Sequence, residues 1–204
     1  MQGPIGSARG TAFAESGRYL RIQSLVFGYN PQILFAYTSS SYALGADTDA
    51  AVRARLESRS GQIPVLLTCP VATEALRGLG VRRLALIHPP WFSEEVIAQG
   101  LNYFRGNGFE VVMSTRISPY RTFTEVPLAE VYEWIRRSVP DEAEAVFVAG
   151  NGLRAIGAIH ALEEALRKPV LTANQVLFWR ALRLAGVASQ VTQYGRIFTE
   201  SRLA

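Results

Sequence analysis

Short apolar runs alternate along the chain with amphipathic stretches of helical period. Strand-like runs fall at 32–37, 63–68, 83–88, 109–115, 144–149 and 169–172. Several are nearly continuous in Val, Ile, Leu, Phe and Ala, the pattern of strands buried on both faces of a parallel sheet. Helical patterns occupy 48–60, 70–79, 93–107, 128–138, 153–167 and 175–185. Pro70 suits a first helical turn, where its missing N–H costs nothing, and Gly61, Gly80 and Gly108 stand where left-handed C-caps are wanted. Strand–helix alternation of this kind predicts an α/β fold with parallel sheets flanked by helices.

One series of residues recurs. Leu56-Glu57, Pro64-Val65-Leu66, Thr68 and Ala75-Leu76-Arg77-Gly78-Leu79-Gly80-Val81 form the first copy. Leu162-Glu163, Pro169-Val170-Leu171-Thr172 and Ala181-Leu182-Arg183-Leu184-Ala185-Gly186-Val187 form the second. The spacing from the proline to the Leu-Arg pair is twelve residues in one and thirteen in the other. A helix end, a strand and an amphipathic helix use similar residues in any such unit, but the matched order over more than twenty residues favours duplication. Two pseudo-symmetric lobes are expected, residues 1–80 with 178–204 and residues 81–177, with the ligand site in the crevice between them.

Each copy follows a strand that runs into small residues. Ile33-Leu34-Phe35-Ala36-Tyr37 leads into Thr38-Ser39-Ser40-Ser41, and Val146-Phe147-Val148-Ala149 leads into Gly150-Asn151-Gly152. Small residues let backbone N–H groups approach a ligand, and hydroxyls and amides add neutral donors, so such loops bind anionic oxygens. The same residues also make ordinary βα turns. Gly150-Asn151-Gly152-Leu153-Arg154-Ala155 matches the dinucleotide pattern G-x-G-x-x-A. The following strand nevertheless ends at Thr172-Ala173-Asn174-Gln175, with no acid for a ribose hydroxyl.

Composition narrows the choices. Of 204 residues 49% are hydrophobic and 19% charged, which excludes a disordered or fibrous chain. The net charge of +4 comes from twenty Arg and one Lys scattered without a cationic run, so a nucleic-acid groove is not expected. No apolar run approaches the ~18 residues of a membrane span. The first ten residues lack the apolar centre of a signal peptide, so a cytoplasmic location is expected. The single cysteine, Cys69, excludes an internal disulfide, and His88 and His160 form no metal-ligand pattern. No metal and no cofactor are expected.

Cys69 follows a strand and precedes Pro70, a setting that lowers a thiol's pKa if it faces helix N–H groups, although free cysteine is also commonly inert packing. His88 ends a strand before Pro89-Pro90-Trp91, within reach of a pocket as a proton donor or acceptor, or held as a structural strand-edge histidine. The stretch Gln193-Tyr194-Gly195-Arg196-Ile197-Phe198 either covers the pocket or docks the C-terminal segment.

With these residues in view, the chain resembles the maleate isomerase and arylmalonate decarboxylase branch of the aspartate/glutamate racemase superfamily. The likeness rests on Thr38-Ser39-Ser40-Ser41 with Gly45, on Glu74 to Arg83, on Gly150-Asn151-Gly152-Leu153 and on Tyr194-Gly195-Arg196-Ile197-Phe198. It implies two α/β lobes, a cofactor-free site between them, and a small carboxylate held in a nest of hydroxyls and N–H groups that also stabilises an enediolate. Thr38, Ser39, Gly150, Asn151 and Gly152 are the nest expected here.

The departures are as informative. Where the family has its first cysteine this chain has Tyr37, where it has its second this chain has Gly150, and its pocket tyrosine is replaced by Pro90 or Trp91. The family's cysteine chemistry therefore cannot run unchanged, and Tyr37, then His88, then Cys69 are the candidate proton donors. Only thirty-seven residues precede Thr38, fewer than the family's opening strand and loop require, and an uncovered sheet edge would favour a homo-oligomer. Three functions are carried forward: an isomerase or decarboxylase of a small acid with a non-cysteine donor, a non-catalytic carboxylate-binding relative, and a nucleotide-dependent enzyme using the Gly150 loop.

Overall fold

The computed structural model describes residues 33–36, 38–117, 126–187 and 191–200, with the side chains of Ser39 and Ser40 outside that description. In order, the chain forms β1 (Leu34–Ala36), α1 (Thr38–Leu44), a 3-10 turn (Ala46–Thr48), α2 (Asp49–Arg59), β2 (Val65–Leu67), α3 (Thr68–Gly78) and β3 (Arg83–His88). It continues with α4 (Glu94–Gly106), β4 (Glu110–Arg116), α5 (Leu128–Ser138), β5 (Ala145–Val148), a 3-10 turn (Ile156–Ala158), α6 (Ile159–Leu166), β6 (Val170–Thr172), α7 (Ala173–Leu184) and a last 3-10 turn (Arg196–Phe198).

The strands form two parallel sheets, β1-β2 and β4-β3-β5-β6, flanked by helices, so the expected α/β class holds. The apolar runs at β3 and β5 have a plain cause. Leu84, Leu86, Ala145 and Phe147 pack on one face with Phe104, Leu76 and Trp179. Ala85, Ile87, Val146 and Val148 pack on the other with Val131, Ile135 and Leu162. Both sets of alternating side chains are covered, so neither face carries polar residues.

The two copies of the repeated series build the same local structure. Glu57 Oε1 accepts from the N–H of Val65 at 3.0 Å, and Glu163 Oε1 accepts from the N–H of Val170 at 3.0 Å. Each carboxylate thus satisfies the first donor of the strand that follows its helix. The closing turns also match, with Gly80 at φ 76° and Gly186 at φ 68°. Val81 N–H bonds Leu76 O at 3.0 Å, and Val187 N–H bonds Leu182 O at 2.9 Å, the backward bond of a left-handed helix cap.

Three boundaries depart from the sequence pattern. Thr38-Ser39-Ser40-Ser41 is the first turn of a helix, not a loop, because Tyr42 is pulled into an aromatic cluster with Tyr103 and Phe104 and Ser41 Oγ donates to Asp49 at 2.8 Å. Helix α3 starts two residues before Pro70, which still lies in the first turn, where no intrahelical donor is needed. The pattern at 153–167 becomes helical only from Ile156, because Leu153 and Ala155 are buried beneath the preceding loop.

Candidate active site

The loop after β5 leaves the sheet through Gly150, which has φ +85°. A Cβ there would lie 2.6 Å from Cγ of Pro89, so both backbone conformation and space require glycine. Beyond it, Asn151 is held from several elements at once. Its Oδ1 accepts from the N–H and from the hydroxyl of Thr38, each at 3.1 Å. Its Nδ2 donates to Asn174 Oδ1 at 3.0 Å and to Thr68 Oγ1 at 3.4 Å. Asn174 Nδ2 returns a bond to the Asn151 carbonyl at 2.9 Å, and Thr68 Oγ1 donates to Ala36 O at 2.7 Å. The starts of α1, α3 and α7 therefore converge on one amide. Thr68 and Asn174 were not among the residues expected from sequence, although Thr68 lies in the repeated series and Asn174 two residues after the second copy's Thr172.

A cavity of about 360 Å³ opens beside this cluster, outside the carboxyl ends of β5 and β6. Gly150, Asn151, Gly152, Arg154 and Asn174 line it, with Phe178 and Ile156 as apolar wall. The N–H groups of Asn151 and Gly152 have no hydrogen-bond partner among the described residues. Helix α7 begins at the same place. Thr172 and Gln175 close a capping box, which leaves the N–H groups of Ala173 and Asn174 as unpaired first-turn donors. Among the described residues no carboxylate lines the cavity, and the exposed Arg154 makes no ion pair. Free amides, a helix N-terminus and a guanidinium together favour an anion.

The expected site residues divide accordingly. Gly150, Asn151 and Gly152 reach the cavity. Thr38 does not line it; it is 1% exposed, and its hydroxyl also accepts the Gly150 N–H at 3.3 Å. Thr38 thus positions the loop, and the Gly150 donor is spent internally. Tyr37 lies outside the described residues, as does the side chain of Ser39.

His88 and Cys69 do not line this cavity. His88 is fully buried between Tyr42 and Phe92, with Nε2 3.2 Å from Ser114 Oγ and Nδ1 without a partner. Burial lowers its pKa to about 4, so the ring is neutral at pH 7. The thiol of Cys69 is also fully buried and donates to Thr38 O at 3.6 Å. Burial pushes its pKa up, with the Asp49 carboxylate adding to the rise and a hydrogen bond from Ser41 opposing it, the reverse of the lowering that its position near a helix start suggests. His160 is exposed, with Nε2 3.5 Å from Glu164 Oε1.

The glycine pattern from Gly150 to Ala155 does not open directly into an α-helix, since a 3-10 turn intervenes before Ile159. It lacks the helix N-terminus on which a pyrophosphate would rest. The C-terminal stretch docks. Gln175 Nε2 donates to Tyr194 O, Glu163 Oε2 accepts from Arg196 N–H at 2.9 Å, and Ile197 is fully buried.

Parallel sheets with a donor-lined cavity at their carboxyl edge are the architecture of an α/β protein that binds its ligand at that edge. The sequence model of arylmalonate decarboxylase matches residues 31–198, and the chain belongs to that family. Arylmalonate decarboxylase of Bordetella bronchiseptica is 29% identical over 171 residues, covering 80% of this chain and 69% of that protein. The structure of unliganded arylmalonate decarboxylase superposes with a TM-score of 0.79 at 24% identity, over 98% of this chain and 86% of the other. A mutant of the maleate cis-trans isomerase of Nocardia farcinica, with a covalently bound succinylcysteine intermediate, shares the fold at a TM-score of 0.77 and 20% identity, over 98% and 82% of the two chains. The matching family and the curated relative are decarboxylases, which supports an enzyme of this type.

Proposed function

We propose that this chain is a cofactor-independent enzyme that isomerises or decarboxylates a small carboxylic or dicarboxylic acid through a stabilised enolate. The observation that carries the proposal is the cavity itself, with the unpaired amides of Asn151, Gly152, Ala173 and Asn174 around a neutral cluster that contains no acid. Donors fixed in place before reaction stabilise negative charge as it develops, and losing one costs about 10²–10³ in rate. In decarboxylation the carbon–carbon bond to one carboxylate breaks and carbon dioxide leaves. The electron pair passes into the retained carboxylate as an enolate, and a proton returns to carbon. In isomerisation at a stereocentre a base takes the proton from the carbon beside the carboxylate, the electron pair enters the carboxylate as the same enolate, and a proton returns to the opposite face of the carbon.

The proton donor is not a cysteine in either position where the family carries one. Tyr37 is the first choice, because it directly precedes Thr38, whose hydroxyl fixes the Asn151 loop. A phenol within ~3 Å of the reacting atom can serve as a general acid. The neutral, buried His88 and the buried Cys69 stand behind it. The lobes at 1–80 with 178–204 and at 81–177 belong to the same reading. The separation of sheet β1-β2 from sheet β4-β3-β5-β6 supports them.

A second reading, a non-catalytic carboxylate-binding relative, is favoured by Tyr37 and Gly150 standing where the family has its thiols. The two are separated by incubating the protein in deuterated water with arylmalonates, maleate and chiral aryl-carboxylates, and following products by NMR. Deuterium incorporation or carbon dioxide release that is lost in Tyr37→Phe supports the enzyme. Saturable binding without exchange supports the second reading, and a response to dinucleotide alone overturns both.

A further inference from the structure

Among the described residues Arg154 is the one charged side chain lining the cavity, and no element of the proposed chemistry uses it. Elsewhere Arg83 pairs with Glu144, Arg116 with Glu94, Arg136 and Arg137 with Glu133, and Arg180 with Glu74. Arg154 makes no ion pair or hydrogen bond among the described residues, although its neighbours Leu153 and Ala155 are buried and hold its backbone at the cavity edge. Beside it, Ile156 is 43% exposed and Phe178 56% exposed, leaving apolar surface next to an unpaired cation. The neutral amides of the loop and of α7 suffice for one carboxylate. A second negative charge needs a cation, and a guanidinium matches a carboxylate with two parallel donors.

We infer that Arg154 is the specificity-determining residue of this site, binding a second anionic group of the acid and so selecting a dianion over a monoanion of the same shape. The inference rests on the carboxylate-site reading above. Because the guanidinium is exposed and water competes for it, the preference it confers is about tenfold.

The test is isothermal titration of maleate and of its monomethyl ester, which differ by one charge, into the wild-type protein, Arg154→Leu, Arg154→Lys and Asn151→Ala. Wild type is expected to bind maleate about tenfold more tightly than the ester. Arg154→Leu should weaken maleate to the level of the ester while leaving the ester unchanged, and Arg154→Lys should keep part of the preference. A preference for maleate that survives in Arg154→Leu overturns the inference. So does equal binding of both ligands by wild type; if Asn151→Ala then abolishes both, the carboxylate site stands and only the role of Arg154 falls. If neither ligand binds wild type, the site and the inference fall together.

Discussion

By the resemblance Gly150 takes the place of the family's second cysteine, and placing a thiol there by Gly150→Cys probes what the glycine is needed for. The backbone has φ +85°, a left-handed conformation that costs a residue bearing a Cβ about 1–2 kcal/mol. The new Cβ also falls 2.6 Å from Cγ of Pro89. Because that atom belongs to a ring tied to the main chain, it cannot swing aside, and such overpacking costs about 1–3 kcal/mol. The total is about 2–5 kcal/mol, a large part of a domain's stability. Urea unfolding followed by circular dichroism measures it. Adding Pro89→Ala should return the steric part and leave about 1–2 kcal/mol for the backbone. If Gly150→Cys unfolds at the same urea midpoint as wild type, neither the strain nor the contact governs this position. The reasoning would then be refuted.

Three further outcomes are expected. His88 has its pKa lowered by burial from 6.5 to about 4, so its contribution is intact above pH 6.5 and is lost as pH falls toward 4. Wild type should therefore lose about 2 kcal/mol more than His88→Leu between pH 7 and 4.5 in urea titrations, and parallel losses would contradict the buried neutral ring. Thr38→Val removes the hydroxyl shared by Asn151 and the buried Gly150 N–H. It should cost about 1–3 kcal/mol and weaken carboxylate binding in calorimetry, whereas unchanged stability would deny Thr38 its positioning role. Glu163→Gln can accept from only one of the Val170 and Arg196 N–H groups. It should speed amide exchange around Arg196 well before it exposes β6, and uniform exchange would show that the terminal segment is not tied through this carboxylate.

Much of the fold is legible in the sequence, for identifiable reasons. The limits of β3 and α5 coincide with their patterns. Leu84 to Ile87 are covered on both faces, and Val131 and Ile135 return at helical spacing to one core. The duplicated series is visible because Glu57 and Glu163 do the same work at the same place. Helix α1 is not legible, since Thr38-Ser39-Ser40-Ser41 is turn chemistry. Only the burial of Tyr42 against α4 residues, distant in sequence, winds it into a helix. At the site, the Gly150 loop is legible from its small residues. Its partners are not, because Thr68 and Asn174 reach Asn151 across 83 and 23 positions, and no local pattern records such contacts. Nor does sequence distinguish Thr38 as a support from Thr38 as a ligand; that depends on its hydroxyl turning toward Gly150 and Asn151. Cys69 likewise sits where a thiolate would be stabilised, and only its complete burial reverses that expectation.

The central claim is that a carboxylate binds at the loop after β5 and the start of α7. It is tested most directly by titrating maleate and phenylmalonate into ¹⁵N-labelled protein and following backbone amide shifts. Saturable shifts concentrated at Asn151, Gly152, Ala173 and Asn174, abolished by Asn151→Ala in a folded protein, are the predicted result. Saturation with shifts confined to other parts of the chain, or no saturable shift at all, would contradict it.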